Sequence, residues 1–198
     1  MTALSLGFAD PVADAQRVFR AVMNALAYPG RLQSLRSDLD PPHPLTPELA
    51  AVALALADHE APIWMDAELA AVPAVAEFLR FHTGAAVVND PAEAAFALVA
   101  NPASGLPIER FARGTADYPD RSTTLVFAVS HLSNAPGWLL EGPGIADREN
   151  LLASPWPRDL ADIVRGNRLL FPLGLDVLLT APGQVAGLPR TTRLLEEV

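Results

Sequence analysis

Apolar positions along this chain keep two rhythms, one of three and four residues and one close to continuous, and the rhythm changes repeatedly. Val12, Ala15, Phe19, Val22 and Leu26 recur on one helical face, with Arg20 one residue off it. Asp10 is suited to cap that helix, Pro11 to open it and Tyr28-Pro29-Gly30 to stop it. Pro41 to Pro44 reads as a turn or extended linker. Thr46-Pro47-Glu48 repeats the start signal and predicts a helix to about Ala57, ended by Asp58-His59-Glu60-Ala61-Pro62. Ile63 to Met65 reads as a short strand, and Pro73 opens a helix through about Leu79.

The second half is richer in strands. Ala85 to Val88 and Phe96 to Val99 predict short ones, with Asn89-Asp90-Pro91 turning between them. Pro107 to Phe111 is weakly helical. Thr123 to Ser130 is the strongest strand, and its near-continuous apolar run predicts a central position covered on both faces. Trp138 to Leu140 is expected to pair beside it, while Ala135 to Gly144 reads as the most loop-like stretch. Pro157 to Leu170 is a strongly amphipathic helix and Leu175 to Leu179 a buried strand. There is no internal repeat. Alternating strands and helices predict an α/β fold with a three-layer-like mixed β-sheet flanked by helices. The 198 residues fit one domain, 1–198.

Composition sharpens this in five ways. With 19 prolines and 12 glycines, elements should be short. With 51% hydrophobic residues, a chain of this size should bury roughly 70% of its unfolded surface. Cysteine is absent, which excludes disulfides, thiolate zinc sites, iron–sulfur ligation and a cysteine nucleophile. All 14 basic residues are Arg, so no lysine is present to form a Schiff base with pyridoxal phosphate. A net charge of −9 argues against nucleic acid and anionic membranes as partners, yet leaves room for a local arginine pocket. No apolar run reaches the ~18 residues of a membrane span. Met1 to Asp10 has no basic residue and no long apolar run, so no targeting leader is expected, and the location expected is cytoplasmic.

Chemistry-bearing residues each carry two readings. His43 lies among prolines and reads as a loop residue. His59 stands between Asp58 and Glu60 at a helix end, where the dipole favours a cation. His82, in Phe81-His82-Thr83-Gly84, is placed between a helix and a strand: a site position, or a helix-end cap. His131 follows the best strand. No His pair has metal-ligand spacing, and there is no nucleophile elbow or phosphate loop. Gly142-Pro143-Gly144 reads as a tight turn. The segment Gly114 to Thr124 places Arg121 before three hydroxyls, Ser122, Thr123 and Thr124. It can bind an oxyanion, or it is a loop in which Asp120 and Ser122 satisfy backbone groups and Arg121 forms a salt bridge. Leu188-Pro189-Arg190-Thr191-Thr192-Arg193 is a second such cluster, or a solvated tail pairing with Glu196 and Glu197. In Phe171-Pro172-Leu173-Gly174-Leu175-Asp176, Pro172 and Gly174 shape a turn and Asp176 begins a strand. The candidate ligand-binding set is Arg121, Ser122, Thr123, His82, Arg190 and Thr191, with no metal ligand, cofactor or catalytic residue assigned.

Read in order, Phe19-Arg20 with Met23, Tyr28-Pro29-Gly30, Leu56-Ala57-Asp58-His59-Glu60, Phe81 to Gly84, Gly114 to Thr124, Gly142-Pro143-Gly144-Ile145, Phe171 to Asp176 and Leu188 to Thr191 resemble the H-subunit family of the bacterial carbon–phosphorus lyase complex. The resemblance covers nearly the whole chain. It implies a homodimer that assembles with G, I and J subunits in phosphonate breakdown. With G, I and L it implies a share in moving an alkyl phosphonate onto a nucleoside triphosphate, giving ribose 1-phosphonate 5-triphosphate. The resemblance also implies that a radical iron–sulfur step is carried by J; it cannot reside in this chain, which has no cysteine for a cluster. The implied fold resembles the large domain of pyridoxal-phosphate transferases without the cofactor. Nucleotide or phosphonate is the implied ligand, and the family brings no catalytic set. A co-catalytic subunit, an architectural dimerisation module and a stand-alone enzyme of transferase descent remain three distinct expectations.

Overall fold

The computed structural model describes residues 5–197, and side chains over 5–195. The elements in chain order are α1 (Pro11–Ala27), β1 (Gln33–Ser34), α2 (Pro47–Leu56), β2 (Ile63–Met65), α3 (Ala67–Ala70), α4 (Pro73–Thr83), β3 (Val87–Val88), β4 (Phe96–Val99), β5 (Thr124–Ala128), β6 (His131–Glu141), β7 (Glu149–Ser154), α5 (Leu160–Leu170), β8 (Asp176–Ala181), β9 (Gln184–Leu188) and β10 (Arg193–Glu197). Short 3-10 turns cover Pro91–Glu93 and Ile108–Arg110. The helix starts follow the sequence rules: Asp10 and Thr46 accept from the N–H groups of Ala13 and Leu49, and a proline opens α1, α2 and α4.

A seven-stranded mixed sheet, ordered β1-β9-β8-β5-β4-β2-β3, forms the middle layer. β3, β2, β4, β5 and β8 run parallel, and β9 and β1 add antiparallel strands at one side. β5 is the central strand, as its sequence predicted. Its alternate residues feed two cores. Val126 and Ala128, with Leu178 of β8, pack under α1, α2 and α4. Leu125 and Phe127, with Val177 and Leu179, pack against α5 and a second sheet, ordered β10-β6-β7. The layers are therefore helices, mixed sheet, and small sheet plus helix.

Four expectations are corrected here. The buried stripe of α1 is Val18, Ala21, Val22 and Ala25, whereas Val12 is 68% and Phe19 48% exposed. The reason is close approach. A Cβ on Gly187 of β9 would lie 2.6 Å from the Ala25 carbonyl oxygen, so the helix meets the sheet through small residues and turns its large ones outward. Ala135 to Gly144 is not a loop: through Glu141 it is the second half of β6. Trp138 to Leu140 pairs with β7 and β10, not beside β5. Pro136 lies where the β6–β7 register shifts, and a proline there has no ladder N–H to lose. Finally, α4 runs on to Thr83, so His82 sits in its last turn rather than at a junction.

Candidate functional site

Five of the sequence motifs converge at the amino-terminal ends of β5 and β8, around Arg190. Asp176 opens β8, and Arg190 follows β9, which returns antiparallel beside it. The Asp176 carboxylate accepts from the Arg190 backbone N–H at 2.8 Å, from Nε at 3.2 Å and from Nη2 at 2.5 Å. Nη2 also donates to Ser122 Oγ at 2.6 Å, and Nη1 to the carbonyls of Pro119 at 2.7 Å and Pro172 at 3.4 Å. A guanidinium has five N–H donors, and here each meets a protein acceptor. The Arg190 side chain is 14% exposed and that of Asp176 21%. This is no solvated tail. The pairing imagined with Glu196 and Glu197 lies outside the residues whose side chains are described, and Arg193 pairs with Glu141 instead, at 3.4 Å.

The surrounding turns lock onto the same knot. The Gly174 N–H donates to the Arg113 carbonyl at 3.0 Å. Asn167, on the apolar face of α5, bridges both backbone groups of Leu175, donating to its carbonyl at 2.8 Å and accepting from its N–H at 2.9 Å. Gly142-Pro143-Gly144 is the tight turn expected, closed by the Ile145 N–H on the Gly142 carbonyl at 3.1 Å. Gly144 has φ +86, and a Cβ there would meet the Ala27 carbonyl oxygen at 2.3 Å, so this turn seats on the end of α1. Gly30 donates to the Gly187 carbonyl and accepts from Asn134 Nδ2 at 2.9 Å. A cavity of about 290 Å3 opens beside the knot, between the end of α5 and the Thr191–Arg193 segment.

The six predicted site residues thus separate. Ser122, Arg190 and Thr191 come together. Thr123 is fully buried, and its Oγ1 donates to the Ala94 carbonyl at 2.7 Å. Arg121 is exposed and lies over the Tyr118 ring, 4.3 Å from its centroid, with no ion pair among the described residues. His82 is elsewhere: Nε2 sits 2.9 Å from the Ser5 carbonyl, and its ring packs on Phe78, pinning the amino-terminal segment to α4. His131 is exposed at the start of β6. Among the described residues, no group of three or more His, Asp and Glu side chains is placed to hold a metal ion, and no helix is long and apolar enough to cross a membrane. Sequence reasoning missed Asp176 as a clamp partner and Asn167 altogether. Both carried a signal: an acid heading an apolar strand, and an amide on the apolar face of a helix, each need a buried partner.

Fold and knot define a three-layer α/β protein in which five sequence motifs gather at the amino-terminal ends of β5 and β8. The family model described as "Bacterial phosphonate metabolism protein (PhnH)" matches residues 6–195. The chain belongs to the PhnH family. It is 41% identical over 190 residues to the "Alpha-D-ribose 1-methylphosphonate 5-triphosphate synthase subunit PhnH" of Rhizobium meliloti (strain 1021), covering 96% of this chain and 94% of that one. It is 30% identical over 185 residues to the "Putative C-P lyase subunit protein HtxG" of Stutzerimonas stutzeri, covering 90% of this chain and 85% of that one.

Proposed function

We propose that this chain is the H subunit of a carbon–phosphorus lyase core complex and helps form ribose 1-phosphonate 5-triphosphate from an alkyl phosphonate and a nucleoside triphosphate. The observation that carries this reading is the nearly end-to-end 41% identity with a relative named as a subunit of such a synthase. In that reaction a phosphonate oxygen bonds to ribose C1 as the ribose–base bond breaks, and the base leaves with a proton. G, I and L are the proposed co-workers, J the proposed neighbour for the later carbon–phosphorus cleavage. The chain is read as one cytoplasmic domain over 1–198, homodimeric, without cofactor and inactive alone. Its sheet is read as descended from the large domain of pyridoxal-phosphate transferases. The absence of lysine and cysteine supports a chain that has left aldimine and cluster chemistry to others.

The test is reconstitution of the complex with and without this chain, following base release from ATP with methylphosphonate present. Release should require the chain. Full release without it overturns the co-catalytic role, and turnover by the purified chain alone supports the stand-alone enzyme instead. An architectural role draws on one observation, the exposed large residues Val12, Phe19 and Met23 of α1. Complexes that assemble only with this chain yet release base without it would favour that second reading.

A further inference from the structure

The cavity beside the Arg190 knot holds about 290 Å3 and is lined by Pro143, Arg168, Phe171, Thr191, Thr192 and Arg193, along with Arg190. Arg190 contributes a wall and no free donor, since its N–H groups are occupied within the protein. Other groups on this wall are not occupied. Arg168, in the last turn of α5, forms no ion pair among the described residues. Arg193 has a single contact, 3.4 Å from Glu141 Oε1, with its side chain 56% exposed. Thr192 is 2% exposed, and its Oγ1 is buried without a hydrogen-bond partner among the described residues. That hydroxyl is closed off from the cavity, so the polar lining is carried by the two arginines and the half-buried Thr191. Phe171, 62% exposed at the rim, adds a flat apolar surface.

We propose that this cavity is an oxyanion site for the charged head of an organic phosphate or phosphonate. Arg168 and Arg193 supply forked donors of the kind that grip such groups, in a chain that is otherwise acidic. Thr191 supplies a hydroxyl. Pro143 and Phe171 take the carbon-bearing part. The volume lies at the small end of ligand pockets, so it suits a head group rather than a whole nucleotide, whose remainder would cross the rim. Naming the head as a phosphonate or a nucleotide phosphate rests on the function proposed above; the oxyanion site stands on the cavity alone.

The experiment is calorimetric titration of the full chain with methylphosphonate, ATP and inorganic phosphate, repeated with Arg168→Ala, Arg193→Ala and Thr191→Val. At least one of the three ligands binds, and each arginine variant weakens it by about tenfold or more, the worth of one lost charged hydrogen bond. Thr191→Val weakens it by roughly threefold to tenfold. Arg168→Ala should leave the melting temperature unchanged, which separates binding from folding. Stronger binding of ATP assigns the triphosphate as the source of the head, and stronger binding of methylphosphonate assigns the phosphonate. No binding of any ligand, or wild-type affinity in both arginine variants, overturns the site. Co-purification with the partner subunits is scored in the same preparations. A chain that assembles normally but binds no anion refutes the site and leaves the subunit reading standing, while a chain that binds the anion but never assembles does the reverse.

Discussion

Arg121-Ser122-Thr123-Thr124 and Arg190-Thr191-Thr192-Arg193 look alike as sequence, a guanidinium beside a run of hydroxyls, and the fold treats them in opposite ways. Arg121 lies on an exposed turn against Tyr118. Arg190 is mostly buried, with its donors spread over Asp176, Ser122, Pro119 and Pro172. The difference lies in what the neighbouring strands bring. β9 ends beside the start of β8, which puts Arg190 against an acid that must be paired. The turn ahead of β5 presents Arg121 to solvent. Composition identifies a group able to bind an anion; packing decides whether its donors are already taken.

Substitutions can break this contrast. Arg190→Ala takes the guanidinium away from Ser122 and from the Asp176 carboxylate, which keeps only the backbone N–H of residue 190, and should cost about 3 kcal/mol in urea unfolding. A loss below about 0.5 kcal/mol would make the two arginines equivalent and refute the clamp. Asn167→Ala strips both backbone groups of Leu175 of their partners inside the protein, with an expected cost of about 2 kcal/mol by the same measurement. If it unfolds like wild type, the turn from Phe171 to Asp176 holds itself without α5. Arg121→Ala should move stability by less than about 0.5 kcal/mol, because it removes one exposed stacking contact. A thermal shift as large as that of Arg190→Ala would show that the exposed turn is a structural element after all.

The same contrast explains what was legible beforehand. The helix starts were readable because they depend on local chemistry, an oxygen-bearing cap followed by proline. The buried strand β5 was readable because both its faces are covered, which leaves an unbroken apolar run. The face of α1 was misread because apolar spacing does not say which side is tight. Gly187 brings the backbone at Ala25 to close range, and Phe19 and Met23 face outward. β6 was misread because Pro136 and Gly137, with Ser133 and Asn134 before them, carry the composition of a turn. Its partners β7 and β10 supply the pairing from either side. At the site, residue types were found but their partnerships were not, because Ser122 and Arg190 stand 68 positions apart and only the sheet brings them together.

Arg190 also fixes a point in the life of the chain. Its partners at 119, 122, 172 and 176 are all synthesised before it, and none can be satisfied by that clamp until residue 190 itself emerges from the ribosome. β10, the third strand of the small sheet, comes later still. The mixed sheet can begin to assemble during synthesis, but the motifs at the amino-terminal ends of β5 and β8 close together only after residue 190 has emerged. A nascent chain paused near Leu188 would hold a largely formed helical core over strand ends whose acid, hydroxyl and carbonyls still await the arginine.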